Sequence, residues 1–196
     1  MIVFPDCDPE AIAQAAIVGM NFSWQGQSCG SMSRLMLHED IHDAVLDALV
    51  EKVSALRMGD PLSDETDVGP VNSETHMHRI LGHCRAAGED GARRMVGGGR
   101  AAGAQFAKGF WVEPTVYADV DPQMRLWREE VFGPVLAKSP LRMARRVRSG
   151  HIWVNGSSAH YLGVPFGGMK SSGVGREEGR EELYSYTETK TINIIL

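Results

Sequence analysis

Between Ile41 and Leu56, apolar side chains return at helical spacing: Ile41, Val45, Ala48, Leu49, Val53 and Leu56 form one stripe. Such an amphipathic helix must bury that stripe against another layer. Short apolar runs elsewhere supply the layer. IVF at the start reads as the end of a buried strand, and Arg34–His38 (RLMLH) as a second strand. Asp8 before Pro9 is an N-cap with proline at the first helical position, opening a helix toward Met20 with Ile12, Ala15, Ala16 and Gly19 inward. Ser73 caps a further helix with Met77, Ile80, Leu81 and Cys84 inward. MVGGG, FWVEPTVYADV and VFGPVL are strand-like pieces split by glycine and proline. A basic helix over Leu141–Arg148 leads into the strand HIWVN, then a helical REEGREELYSY, and a closing strand, TKTINII. Strands alternating with helices specify an α/β fold, a mainly parallel sheet flanked by helices.

The totals narrow the function. With 43% hydrophobic and 23% charged residues over 196 positions, the chain has the balance of a globular protein. A net charge of -5 offers no basic face, which excludes nucleic acid as a partner. No apolar run reaches the length of a membrane span, and MIVFPDCDPE lacks the basic start and long apolar core of a leader. Neither a membrane nor a secretory route is expected. Cys7, Cys29 and Cys84 are odd in number and irregularly spaced, which points to a reducing, cytoplasmic setting.

Several patches invite chemistry and then decline it. Gly97–Gly99 does not continue into GxGxxG, and GGMKSSGVG places Val174 and Gly175 where a phosphate loop needs Lys and Ser or Thr. Tight turns account for both. His76, His78, His83 and Cys84 share one helix, but no paired C-x-x-C or H-E-x-x-H accompanies them, so a solvated helix face and no metal are expected. Cys29 stands apart. In FSWQGQSCGS it lies among small polar residues with no bulky aliphatic side chain close by to bury the sulfur. A nucleophile and a structural core cysteine both remain open on spacing alone. A nucleophilic role calls for a base or a favourable dipole nearby.

Taken in order, four segments resemble the aldehyde dehydrogenase superfamily, from its catalytic domain to the C-terminus. FSWQGQSCGS resembles the G-Q-x-C nucleophile segment and REEVFGPV the E-E-[IV]-F-G-P motif. HIWVNG with PFGGMKSSGVGRE, and then YTETKTI, resemble the family's closing run. The resemblance implies an NAD- or NADP-dependent oxidation of an aldehyde to a carboxylic acid, through a thiohemiacetal and a thioester on Cys29. It assigns Cys29 as the nucleophile, its backbone N–H as an oxyanion donor, and Glu177 as a carboxylate assisting proton movement in deacylation. Glu130 is assigned to the ribose hydroxyls of the cofactor, Phe132 to packing beside the sugar and nicotinamide, and Phe22, Trp24, Ser28, His160 and Phe166 to the aldehyde tunnel. His160 makes part of that tunnel polar, which suits a small polar or aromatic aldehyde.

The same resemblance implies a partial catalytic domain over 1–185 and an oligomerisation strand over 186–196. The nucleotide-binding domain, the E-L-G-G segment with the general base and an oxyanion asparagine are expected to be missing, so dinucleotide binding by the isolated chain is expected to be undetectable. GPVLAKSP runs directly into LRMARRVRSG, where the family has a strand, a helix and more chain. This marks an apparent internal deletion near 138–141. The alternative to an enzyme is a non-catalytic protein whose TETKTINII arm pairs with itself or with a full-length relative by edge-strand addition.

Overall fold

A computed structural model describes residues 1–140, 148–153 and 160–195. The basic helix expected over Leu141–Arg148, except Arg148, and the last two residues of HIWVN lie outside the described residues. The contacts divide the chain into two compact units, Met1–Ala144 and Arg145–Leu196.

The first unit is built on a five-stranded sheet. Its strands are β1 (Ile2–Val3), β2 (Arg34–Leu37), β3 (Arg93–Val96), β4 (Thr115–Ala118) and β5 (Val135–Pro140), in the spatial order β1-β2-β5-β4-β3. β1, β2, β5 and β4 run parallel, and β3 joins β4 antiparallel with a register shift between Arg94 and Val96. β5 therefore comes late in sequence and slots between two earlier strands. Its start is set by chemistry upstream: Phe132 has φ 56° and Pro134 has no N–H to give a ladder, so pairing begins at Val135, not at Val131.

Helices cover both faces, as a parallel sheet requires. α1 (Pro9–Met20) and α2 (His42–Ser54) pack together on one face; α3 (Glu74–Glu89) and the short α4 (Arg125–Arg128) pack together on the other. Alternation along the strands shows this. Val116, Ala118 and Leu136 join the core under α1 and α2, whereas Tyr117, Val135 and Ala137 join the core under α3. Asp8 caps α1 by accepting the Ala11 amide (3.2 Å), and Ser73 caps α3 by accepting the His76 amide (3.2 Å). α1 buries Ala13, Ala16, Gly19 and Met20, a stripe turned by about one position from the expected one, with Ile12 and Ala15 half-buried. α2 buries Val45, Ala48, Leu49 and Val53 of the expected stripe, with Leu46 added; Ile41 is buried in the turn before the helix, and Leu56 lies past its end, half-buried.

In the second unit, the expected helix REEGREELYSY shortens to α5 (Glu182–Ser185). Glu178 sits in left-handed backbone at φ 63°, with Gly179 after it, and that interrupts the helix. The closing TKTINII forms no strand among the described residues; Ile192, Ile194 and Ile195 are exposed. A strand exists only through its partner's hydrogen bonds, and this segment pairs with no strand among the described residues.

One side chain violates the core. Lys138, on β5, follows Leu136 onto the α1/α2 face, is 0% exposed, and its Nζ has no hydrogen-bond partner among the described residues. Burial pushes its pKa down to about 8. The unfolded chain binds this proton up to about pH 10.5, so stability rises as pH climbs from about 8 toward 10.5 and falls as pH drops back through 8. Chemical denaturation at pH 7 and pH 10 checks this. Lys138→Met is expected to stabilise at pH 7 by about 1–3 kcal/mol, the scale of an unsatisfied buried polar group, and to flatten the pH dependence.

Candidate active site

The Cys29 loop is shaped by residues in left-handed backbone. Asn21 (φ 56°) ends α1, Phe22–Trp24 make a single 3-10 turn, and Gln25 (φ 54°) and Gly26 (φ 64°) reverse the chain. Hydrogen bonds then tie the loop to the helix it leaves. The Gly26 amide donates to the Asn21 carbonyl (2.9 Å), the Met32 amide to the Gly19 carbonyl (2.8 Å), and Asn21 Nδ2 to Ser31 Oγ (3.3 Å). Cys29 occupies a tight turn in which the Ser31 amide donates to the Ser28 carbonyl (3.1 Å) and the Gly30 amide to Ser28 Oγ (3.2 Å). Its thiol is exposed. Its amide donates to no acceptor among the described residues, which leaves one N–H beside the sulfur.

Topology brings a second segment alongside. The Cys29 loop precedes β2 and the turn Glu130–Pro134 precedes β5; because β2 and β5 are parallel neighbours, both enter the sheet at the same end. The contact is intimate. A side chain on Gly26 would collide with the Gly133 carbonyl oxygen. Gln27 Oε1 accepts the Asn72 amide (3.0 Å), which ties the loop to the residue before the α3 cap. Phe132 is half-buried in left-handed backbone. The Glu130 carboxylate is exposed and accepts no hydrogen bond among the described residues. Arg34 lies near it. Burial lowers the Arg34 pKa, the charge of Glu130 opposes that shift, and the Arg34 Nε donates to the Trp127 carbonyl (2.6 Å) while its guanidinium lies 5.8 Å from the Trp127 ring. A free carboxylate beside a half-buried aromatic ring can accept hydrogen bonds from paired hydroxyls while the ring packs against a flat group.

The remaining assigned residues divide. Phe22 is 1% exposed, a core side chain of the α1/α2 layer, so its contribution is packing; Trp24 is 64% exposed. Ser28 is half-buried and turned onto the Gly30 amide. In the second unit, Phe166 and Glu177 exchange backbone hydrogen bonds (2.9 and 2.7 Å), with Glu177 exposed. His160 Nδ1 lies 2.8 Å from Glu178 Oε1, and its ring packs on Phe166 with centroids 4.7 Å apart.

The histidine helix departs from its expected solvated face. His78 is exposed, but His83 is 1% exposed with Nδ1 unpartnered among the described residues, and His76 Nε2 lies 2.7 Å from the Phe132 carbonyl oxygen. Burial, with Arg125 and Arg79 nearby, pushes the His83 pKa down against the pull of Glu129. Positions 76 and 83 both lie on the inner side of α3, and charge-based reasoning missed them because histidine is compatible with either side. Cys84 is likewise buried, its thiol pushed up to about 11 by desolvation, which leaves it unreactive. No group of three or more His, Cys, Asp or Glu among the described residues could hold a metal ion.

This arrangement belongs to a known class. The sequence profile of the aldehyde dehydrogenase family matches residues 1–141 and 137–192. Aldehyde dehydrogenase tropH of Talaromyces stipitatus is 40% identical over 230 residues, covering 100% of this chain and 45% of that protein. Betaine aldehyde dehydrogenase of Cereibacter sphaeroides is 36% identical over 224 residues, covering 99% and 45%. A double mutant of Staphylococcus aureus betaine aldehyde dehydrogenase, solved in complex with NAD+ and with a BME-modified cysteine, superposes with TM-score 0.89 at 30% identity, over 94% of this chain and 43% of that one. The chain belongs to the aldehyde dehydrogenase family. It spans less than half the length of these relatives, and its mixed sheet flanked by helices corresponds to part of their catalytic domain.

The Gly26–Gly133 contact yields a paired prediction. Gly26→Ala places a side chain in left-handed backbone and against a carbonyl, and is expected to destabilise by more than about 1–2 kcal/mol and to change the alkylation rate of Cys29. Gly30→Ala meets only Ser28 Oγ at 3.6 Å and is expected to leave the melting temperature within about 1 °C. Thermal melts and iodoacetamide labelling of both variants check this.

Proposed function

We propose that this chain supplies the covalent aldehyde-capturing part of an NAD(P)-dependent aldehyde dehydrogenase reaction, with Cys29 as nucleophile and Glu130 and Phe132 holding the nicotinamide-ribose end of the cofactor. The observation that carries this reading is the exposed Cys29 thiol, beside its own unpaired amide, on a loop packed against the Glu130–Gly133 turn.

Each step follows from those groups. The thiol releases its proton, and the sulfur bonds to the carbonyl carbon; the carbonyl's π pair moves to oxygen, where the Cys29 N–H stabilises it. One such donor is worth about 2.7–4 kcal/mol. A bound NAD or NADP would supply the hydride acceptor that turns this adduct into a thioester on Cys29. Water then adds to the thioester carbon, the C–S bond breaks, and a carboxylic acid leaves with the thiol restored. Glu130 would hold the ribose hydroxyls through its carboxylate and Phe132 would pack beside the ring, so both would act by orientation.

Purified chain assayed with p-nitrophenyl acetate, which needs no dinucleotide, tests this reading. Ester hydrolysis is expected to fall at least about 100-fold in Cys29→Ala. Ester hydrolysis that persists in Cys29→Ala overturns it.

A second reading is favoured by one observation: the arm 187–195 lies exposed with no strand partner among the described residues, displaying Ile192, Ile194 and Ile195. In this reading the arm adds to a sheet edge of a second copy or of a longer relative. Sedimentation velocity is expected to show an oligomer that becomes monomeric when 187–196 are deleted; an unchanged sedimentation coefficient rejects it.

A further inference from the structure

We infer that His76 and Arg79 act as a two-pronged clip on α3 that fixes the turn bearing Glu130 and Phe132, as positioning residues and not as contacts to reacting atoms. The inference rests on the reading of Glu130 and Phe132 given above. His76 and Arg79 are three residues apart and share a helix face. His76 Nε2 lies 2.7 Å from the Phe132 carbonyl oxygen, so this nitrogen carries the hydrogen and donates it. Arg79 donates from Nη2 to the Glu130 carbonyl oxygen (2.8 Å). Ile80, the next residue on α3, crowds Gly133 so closely that no Cβ fits there. Three successive holds thus secure three of the four residues from Glu130 to Gly133.

The turn needs holding. Phe132 sits at φ 56°, a conformation that costs a residue with a Cβ about 1–2 kcal/mol. The His76 and Arg79 bonds compensate for that cost, and the Arg79 bond is charge-assisted. His76 also meets the Phe132 ring edge-on, with centroids 6.3 Å apart, so the same imidazole fixes both backbone and ring. The hydrogen bonds of the clip go to main-chain carbonyls alone. The clip therefore leaves the Glu130 carboxylate unengaged while fixing the origin from which it projects, which is the requirement for a preorganised hydroxyl-binding group.

The test compares native chain with His76→Leu/Arg79→Met and with His76→Gln, which retains a donor. Two readouts are used: hydrogen exchange of the Val135 amide, which donates to the Gly133 carbonyl (2.7 Å), and calorimetric titration with nicotinamide mononucleotide. In the double variant, Val135 exchange is expected to speed at least about tenfold while amides inside α2 keep their native rates. Mononucleotide binding is expected to weaken about tenfold, and His76→Gln to restore most of both. Val135 exchange unchanged in the double variant overturns the clip. If native chain fails to bind the mononucleotide while Val135 responds, the clip is supported as what holds the turn and the cofactor reading of Glu130 and Phe132 falls. If native chain binds and the double variant binds equally well, the positioning role falls and that reading stands.

Discussion

Two backbones meet at Gly26 and Gly133 with no room between them for a methyl group, and the geometry of the first unit follows from that approach. The sulfur-bearing loop and the carboxylate-bearing turn are about a hundred residues apart in sequence. They become neighbours because β5 inserts beside β2 in parallel, with the Ala137 amide donating to the Ser33 carbonyl (2.9 Å). Parallel pairing aligns the N-terminal ends of both strands, so whatever precedes them is placed side by side. Many open α/β sheets bind ligands at the opposite, C-terminal end. Here the candidate chemistry gathers at strand entrances, and the glycine pair lets the two entrances close.

How much of this was legible depended on whether local physics decided the outcome. The middle of the α2 stripe and the Asp8 and Ser73 caps were readable because periodicity and capping act within a few residues, and the structure keeps them. The start of β5 was less so. VFGPVL is apolar throughout, but Phe132 is held in left-handed backbone by partners on α3, a tertiary effect that no window of sequence contains. The REEGREELYSY segment contained its own warning in Gly179, outweighed by the helix-forming glutamates around it. TKTINII carries strong β propensity, yet propensity without paired hydrogen bonds yields no strand, and the segment has none among the described residues.

The candidate site divides the same way. Cys29 was legible as an exposed thiol from its small polar neighbours, and Glu130 and Phe132 from the resemblance of their motif. His76, Arg79 and Arg34 were not, because each acts through a backbone carbonyl or a charge on a segment distant in sequence. The placement of Phe22 is likewise tertiary: the 3-10 turn sets its ring in the core and leaves Trp24 outside. Lys138 is the one residue that neither pattern nor packing favours. It stands in the middle strand of the sheet, where alternation directs it into an apolar layer.

The contrasting burial of the cysteines has its own consequence. Cys29 stands in solvent, whereas Cys84 is sealed beneath α3 with its thiol held protonated well past neutrality. Modification at Cys29 in folded protein therefore records the state of the surface loop, and modification at Cys84 records only those molecules whose interior has opened. The polypeptide contains two built-in chemical clocks, one keeping the time of its reactive rim and the other that of its core.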